Sequence, residues 1–313
     1  MGKKTHGKEG KVSFYEFFQS FPDEESAERY FAERRWGKDS KDRFCPHCGS
    51  MRTVRAKDRM PYRCKDCRKR FSVRTGTILA ESKVSLHKWL MAIYLLNTNL
   101  KGVSSMKLAR DLGVQQKTAW FLAHRIRESM KENIALFGNP TEADETYIGG
   151  LEKNKHESKK KHDGRGTKGK TAILGVKERD SKKVAVKVAQ DTTGETLSGF
   201  IGDHVEAGNT IYTDDHKGYN PIAVEYDHKT VKHSLGEYVD GQIHTNGMES
   251  FWSMLKRGYI GTYHRMSEKH LQRYADEFAA RHNKRQLATM DQIDEIVEGM
   301  EGKRLKYKDL IKN

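Results

Sequence analysis

Two spacings of apolar residues alternate along the chain, and each predicts its own kind of element. In residues 84–136, Leu86, Leu90, Ile93 and Tyr94 recur at intervals of three and four, with Met91 and Leu95 four apart, which is the period of a helix. A break at Asn97-Thr98-Asn99 and Gly102 follows. Ser104 or Ser105 then caps a second helix reaching Leu112, Gly113 supplies a turn, and a third helix runs from Gln116 to Met130. Further on the period shortens to two. Thr171–Val176, Lys183–Ala189, Thr210–Thr213 and Lys229–His233 read as strands, with Arg179–Lys182 as the turn between the first two. Glu142–Gly150 supplies an opening strand, and Thr193–Ile201 a helix between strands. Met248, Phe251, Trp252 and Leu255 fall at i, i+3, i+4 and i+7, a helix with one buried face. The order of three strands, helix, strand, helix or loop, strand and helix predicts an α/β fold with a mixed five-stranded sheet covered by helices.

Composition narrows the class of partner. The chain has 313 residues, of which 35% are hydrophobic, and 58 Lys and Arg against 43 Asp and Glu leave a formal charge of +15. No run of about 18 apolar residues occurs, which excludes a membrane-spanning helix. Met1–Thr5 leads into no apolar segment, so no secretory signal is expected. A positive excess of this size favours an anionic polymer, nucleic acid first.

All four cysteines fall in two C-x-x-C knuckles, Cys45–Cys48 and Cys64–Cys67, separated by 15 residues. That spacing suits a four-thiolate zinc site, because the x₂ gap lets both sulfurs of a knuckle reach one tetrahedral ion. Thr53–Ala56, Met60–Arg63 and Arg70–Val73 read as short strands around it, making a zinc ribbon. With four thiolates the site is closed, so the zinc is structural. His47 lies between better ligands and reads as a turn residue. Two disulfides also fit the count, but they need an oxidising compartment. Arg52, Arg55, Lys57, Arg59 and Arg63 make the ribbon basic enough to meet phosphates.

The helix pair around Gly113 has the form of a helix-turn-helix, with Gln115, Gln116, Lys117 and Thr118 at the start of the second helix. A purely structural bundle fits the same pattern; the basic flank His124-Arg125-Ile126-Arg127 favours DNA. Between Glu152 and Lys170 lie eight Lys or Arg, two His and three Gly with almost nothing apolar. Such a segment cannot bury a core. It reads as a mobile basic loop, either a solvated insertion or a clamp on DNA.

Acids at element ends are the candidates for chemistry. Asp144 lies on the opening strand, Asp214 at the end of the fourth, and Glu249 on the helix after residue 244. Glu249 and Lys256 are seven apart, so at about 100° per residue they point the same way. Three carboxylates gathered from two strands and a helix could hold two Mg²⁺ ions, hard cations that take oxygen ligands. Such a pair can activate an attacking oxygen and stabilise a leaving one at phosphorus. Three unrelated surface acids would give the same sequence order.

Taken together these motifs resemble the zinc-ribbon DDE transposases of bacterial insertion sequences, the family numbered fifteen-ninety-five (the ISXO-two-like group). The resemblance covers residues 20–290. It rests on Cys45-Pro46-His47-Cys48-Gly49, Tyr62–Cys67, Phe71–Thr77, Lys117-Thr118-Ala119-Trp120, Asp144–Gly150 and Tyr212-Thr213-Asp214. Glu249–Gly258, Gly261–His264, Arg273–Phe278 and Arg281-His282-Asn283 complete it. It implies a ribonuclease-H-like catalytic fold in which Asp144, Asp214 and Glu249 bind two Mg²⁺ or Mn²⁺ ions, with 34 residues between the last two. It further implies that Lys256, with Arg257 beside it, contacts DNA near the reacting phosphate. Glu145 and Asp215 neighbour motif positions without occupying them. Some relatives carry Asn as the third ligand, and Glu249 is preferred to Asn246 because only it keeps the spacing to Lys256, while His264 reads as a packing residue. The implied activity is hydrolysis at the element ends, freeing a 3′-OH that attacks target DNA. Partners would be the terminal inverted repeats, target DNA and further copies of the chain in a dimer or larger assembly. The expected location is the bacterial cytoplasm, on the nucleoid.

The expected organisation is an N-terminal helical segment (1–40), the ribbon (41–76), a helix-turn-helix region (83–136), the catalytic domain (140–290, with the basic loop 152–170) and a C-terminal tail (291–313). Two other functions fit parts of the pattern: a zinc-ribbon regulator with an inert second domain, and a ribonuclease-H-like nuclease that cuts without joining.

Overall fold

Local capping chemistry sets the first elements. Ser13 and Glu16 cap each other's backbone at the start of α1 (Phe14–Ser20), and Asp23 and Ser26 do the same for α2 (Glu24–Trp36). The computed structural model describes residues 10–56, 60–132, 134–138, 140–150, 156–159, 169–231 and 244–312. The chain divides into two units: one takes the residues up to 99, then 103–131 and the stretch from 286 onward, and the other takes 100–102 and 132–285.

In the first unit, β1 (Thr53–Arg55), β2 (Tyr62–Cys64) and β3 (Arg70–Phe71) form an antiparallel three-stranded sheet. The indole of Trp36, at the end of α2, meets the rings of Tyr62 and Phe71 edge-on at 5.3 and 5.9 Å. The central helix is α3 (Leu86–Thr98), buried nearly all round and packed against α2, α4 (Ser105–Leu112) and α5 (Gln116–Met130). Ser104 caps α4, and Gly113 takes the left-handed conformation, φ 58°, that turns the chain into α5. The C-terminal stretch returns to this unit. It forms α9 (Thr289–Glu298) and α10 (Tyr307–Ile311), and Lys303 Nζ donates to the carbonyls of Glu128, Ser129 and Lys131 at the end of α5.

The second unit carries the mixed sheet: β4 (Thr141–Ile148), β5 (Thr171–Glu178), β6 (Val184–Ala189), β7 (Thr210–Asp214) and β8 (Asp227–Val231), in the order β6-β5-β4-β7-β8. β6, β5 and β4 are antiparallel neighbours, whereas β4, β7 and β8 run parallel. Residues alternate between two cores. Ala143, Leu174 and Val176 face α6 (Gly194–Gly202) and the 3₁₀ segment Lys217–Val224; Ile148 and Ile173 face α7 (Asn246–Gly258) and α8 (Glu268–Asn283). Met248, Phe251, Trp252 and Leu255 are all at most 3% exposed, the face that their spacing predicts.

Two expectations shift. The last strand begins at Asp227 rather than Lys229, because its bounds follow the parallel register from Thr210↔Asp227 to Asp214↔Val231; residues 232 and 233 lie outside the described residues. His264 is exposed with φ 56°, ending the π-helical turn Tyr259–Tyr263, and does not pack. Lys57 and Arg59 of the ribbon also lie outside the described residues, as does the basic loop apart from residues 156–159 and 169–170. Among the described residues no helix is long and apolar enough to cross a membrane.

Candidate functional site

Two tight turns bring the cysteines together. Gly49 N–H donates to the Cys45 carbonyl in the first knuckle, and Cys64 N–H to that of Lys69 in the second. The Sγ atoms of Cys45 and Cys67, and of Cys48 and Cys64, lie 3.7 Å apart, and one ligand atom from each of the four falls within 4.8 Å of the others. A disulfide needs about 2.05 Å; two sulfurs bound at about 2.3 Å to one tetrahedral zinc lie about 3.8 Å apart. The four thiols therefore fit a structural zinc ion. Amide N–H groups, that of Cys67 first, pull the Cys64 thiol down to about 6, towards the thiolate a zinc ligand requires.

On the helix pair, Gln115, Gln116 and Lys117 are exposed at the start of α5, and Thr118 is half-buried. Gln116 Nε2 donates to Ser105 Oγ at 2.8 Å, fixing the pair's mutual setting, while the Lys117 ammonium lies 4.6 Å from the centre of the Tyr307 ring. The basic flank is different. Arg125 is 4% exposed, donates to the Ala80 carbonyl at 2.7 Å and lies over the rings of Trp89 and Phe121. Burial brings its pKa down to about 10. His124 and Arg127 are buried as well. Arg125 thus serves the core of its unit and not a DNA-facing surface, because α5 turns this side inward.

In the second unit, β4 has two chemically distinct faces. Glu142 and Asp144 share the face under α7, and Glu145 lies on the other, where Tyr219 Oη donates to its carboxylate at 2.8 Å. Glu142 pairs with Tyr212 across the parallel β4–β7 ladder, and Asp144 and Asp214 each stand two residues further along their strands. The Asp144 carboxylate accepts from the Trp252 indole N–H at 3.0 Å and from the Glu145 backbone N–H at 2.9 Å. Asp214 accepts from the His216 N–H at 3.1 Å. Burial, then the charges of Glu145, Asp214 and Glu249, push Asp144 up to about 8. Burial raises Glu145 too.

Asp144, Glu145 and Glu249 line a cleft of about 600 Å³ with Ser253, Lys256 and Arg257. Lys101 and Trp252 complete its polar and aromatic walls. Asp214 stands beside Asp144 outside the cleft lining. Among the described residues, the four cysteines are the one group of three or more His, Cys, Asp or Glu placed to hold a metal ion. Asp144, Asp214 and Glu249 do not form such a group as they stand.

Glu142 escapes the sequence reading altogether. It is 2% exposed, pairs with Arg179 Nε at 2.9 Å and accepts from the Met248 N–H at 3.0 Å. It thus takes the place of the missing side-chain cap at the start of α7, where Thr245 makes no such bond. Arg179 closes the network by donating to the His244 carbonyl at 2.7 Å. The available signal was its even spacing from Asp144 on one strand face.

This architecture has known counterparts. Residues 22–70 match the transposase zinc-ribbon domain, and residues 136–283 match the ISXO2-like transposase domain. The chain belongs to the zinc-ribbon, ISXO2-like transposases. The second match spans the five-stranded sheet and the acidic cleft, so the catalytic unit of this transposase has the ribonuclease-H-like fold. An "Uncharacterized protein in transposable element ISH50" from Halobacterium salinarum is 26% identical over 279 residues, 84% of this chain and 92% of the relative. Metal binding by the ribbon and DNA binding by the transposase follow from the two domains.

Proposed function

We propose that this transposase cuts at the ends of its element and joins the freed 3′-OH to target DNA by two-metal-ion phosphoryl transfer. The observation that carries the reading is the cleft, which a half-buried Asp144 and Glu249 line together with Lys256 and Arg257. An acid whose pKa its acidic neighbours raise is costly without a cation, and a cleft that also carries Lys256 and Arg257 suits a phosphodiester backbone. Asp144, Asp214 and Glu249 would hold two Mg²⁺ or Mn²⁺ ions. An ion pair about 3.5–4 Å apart spans a wider triangle of ligands than one ion does. The ions would supply Lewis-acid activation of water and then of the 3′-OH. Lys256 and Arg257 would hold the phosphates on either side, and Trp252 keeps Asp144 in place. Gln115, Gln116, Lys117 and Thr118, with the basic ribbon, would read the terminal inverted repeats. Two ends must be brought together, so a dimer or larger assembly on DNA is part of the proposal.

The test is a strand-transfer assay with pre-cleaved terminal DNA, a supercoiled plasmid and Mg²⁺. Insertion products are expected from the parent chain and none from Asp144→Asn, Asp214→Asn or Glu249→Gln. Insertion retained by all three variants would overturn the metal assignment. Cutting of uncleaved ends without any insertion would show a nuclease instead.

A further inference from the structure

Asp144 faces a position that has no side chain. In the β4–β5 ladder its partner is Gly175, and a Cβ there would come within 2.3 Å of Met248 Cε and within 2.6 and 2.8 Å of Trp252 Cζ2 and Cη2. The indole of Trp252 therefore occupies the space over β5 that any other residue would fill. Lying there, 3% exposed, it sends its Nε1–H to Asp144 Oδ2 at 3.0 Å. Trp252 sits one turn beyond Glu249 and one turn before Lys256 on α7, and all three line the same cleft. A buried indole N–H is a donor only, so it cannot compete with the carboxylate for a cation.

We propose that Trp252 is a positioning residue for metal binding, holding the Asp144 carboxylate at a fixed angle, and that Gly175 is the clearance that lets it do so. Each Asp144 oxygen already accepts one hydrogen bond, from Trp252 or from the Glu145 backbone, and a carboxylate oxygen carries two acceptor sites. The two donors thus take one lone pair from each oxygen and leave one on each for a cation. The same bond ties β4 to α7, so the strand that carries Asp144 and the helix that carries Glu249 move as one piece. The inference rests on the metal-ion reading of the cleft above.

The test uses the full chain, loaded with zinc, without DNA. Mn²⁺ binding is measured by titration for the parent, Asp144→Asn, Trp252→Phe and Gly175→Ala, with zinc content and melting temperature as folding controls. Trp252→Phe, which keeps an aromatic ring and loses the N–H, is expected to weaken Mn²⁺ binding about 10- to 100-fold, the usual effect of losing a partner behind a ligand. Gly175→Ala should act in the same direction. In strand transfer, Trp252→Phe should raise the Mg²⁺ needed for half-maximal rate while a high Mg²⁺ concentration restores the plateau. The parent's Trp252 indole N–H resonance should shift on Mg²⁺ addition, and this remains readable if the variants fail to fold. Unchanged Mn²⁺ affinity in a folded Trp252→Phe, or an indole resonance indifferent to Mg²⁺, overturns the proposal. If Asp144→Asn binds Mn²⁺ as the parent does, the metal reading itself falls; if Asp144→Asn loses binding and Trp252→Phe does not, only the positioning role falls.

Discussion

Asp144 and Arg125 show how burial changes what a charged residue does. The Asp144 pKa of about 8 lies far above the roughly 3.9 of an unfolded aspartate. Between those two values the folded state keeps a proton that the unfolded state has lost. Stability therefore falls as pH rises from about 4 to about 8, by up to about 1.4 kcal/mol per pH unit, and levels off above. Melting curves without added Mg²⁺ should show this slope in the parent and lose it in Asp144→Asn. Saturating Mg²⁺ should also flatten it, because a bound cation displaces the proton. Arg125 makes the opposite point. Its guanidinium is held by Ala80, Trp89 and Phe121, so Arg125→Ala should cost about 2 kcal/mol of stability. The salt dependence of DNA binding should stay as it was. Lys117→Ala should instead reduce that salt slope by about one, with little change in melting temperature.

At the scale of elements, α7 depends on one buried acid. Glu142→Gln takes the Glu142 carboxylate away from Arg179 and weakens the cap on the Met248 N–H, so a loss of about 2–3 kcal/mol is expected in urea unfolding. Much of the element pattern was legible beforehand because its causes are local. Ser104 and Gly113 announce the ends of α4, and the spacing of Met248, Phe251, Trp252 and Leu255 announces the buried side of α7. What could not be read depends on tertiary partners. Nothing nearby in sequence says that Glu142, among the three acids in Thr141–Glu145, meets Arg179 from the turn after β5. The start of β8 is likewise set by pairing with β7, and not by its own residues. Arg125 was partly legible: it lies three residues after Leu122 and next to Ile126, on the apolar stripe, and the count of basic residues outweighed that spacing. The cleft was visible only as three separate acids, since the strand register that sets Asp144 and Asp214 side by side is a property of the folded sheet.

For the whole molecule, the charge of +15 predicts that affinity for end DNA falls log-linearly and steeply with salt. Zinc removal should be local. Chelation is expected to unfold the ribbon around Cys45–Cys67, seen as lost amide protection there, while amides of β4, β5 and β6 keep theirs. The return of residues 286–312 to the first unit has a consequence for synthesis. The catalytic unit is inserted within the chain of the unit that carries the ribbon and helix pair, so its own residues leave the ribosome before that outer unit has its last two helices. A nascent transposase can thus complete the unit that holds the acidic cleft while the unit that holds the ribbon and helix pair still lacks α9 and α10, and a late stop codon or frameshift strikes the second before it touches the first.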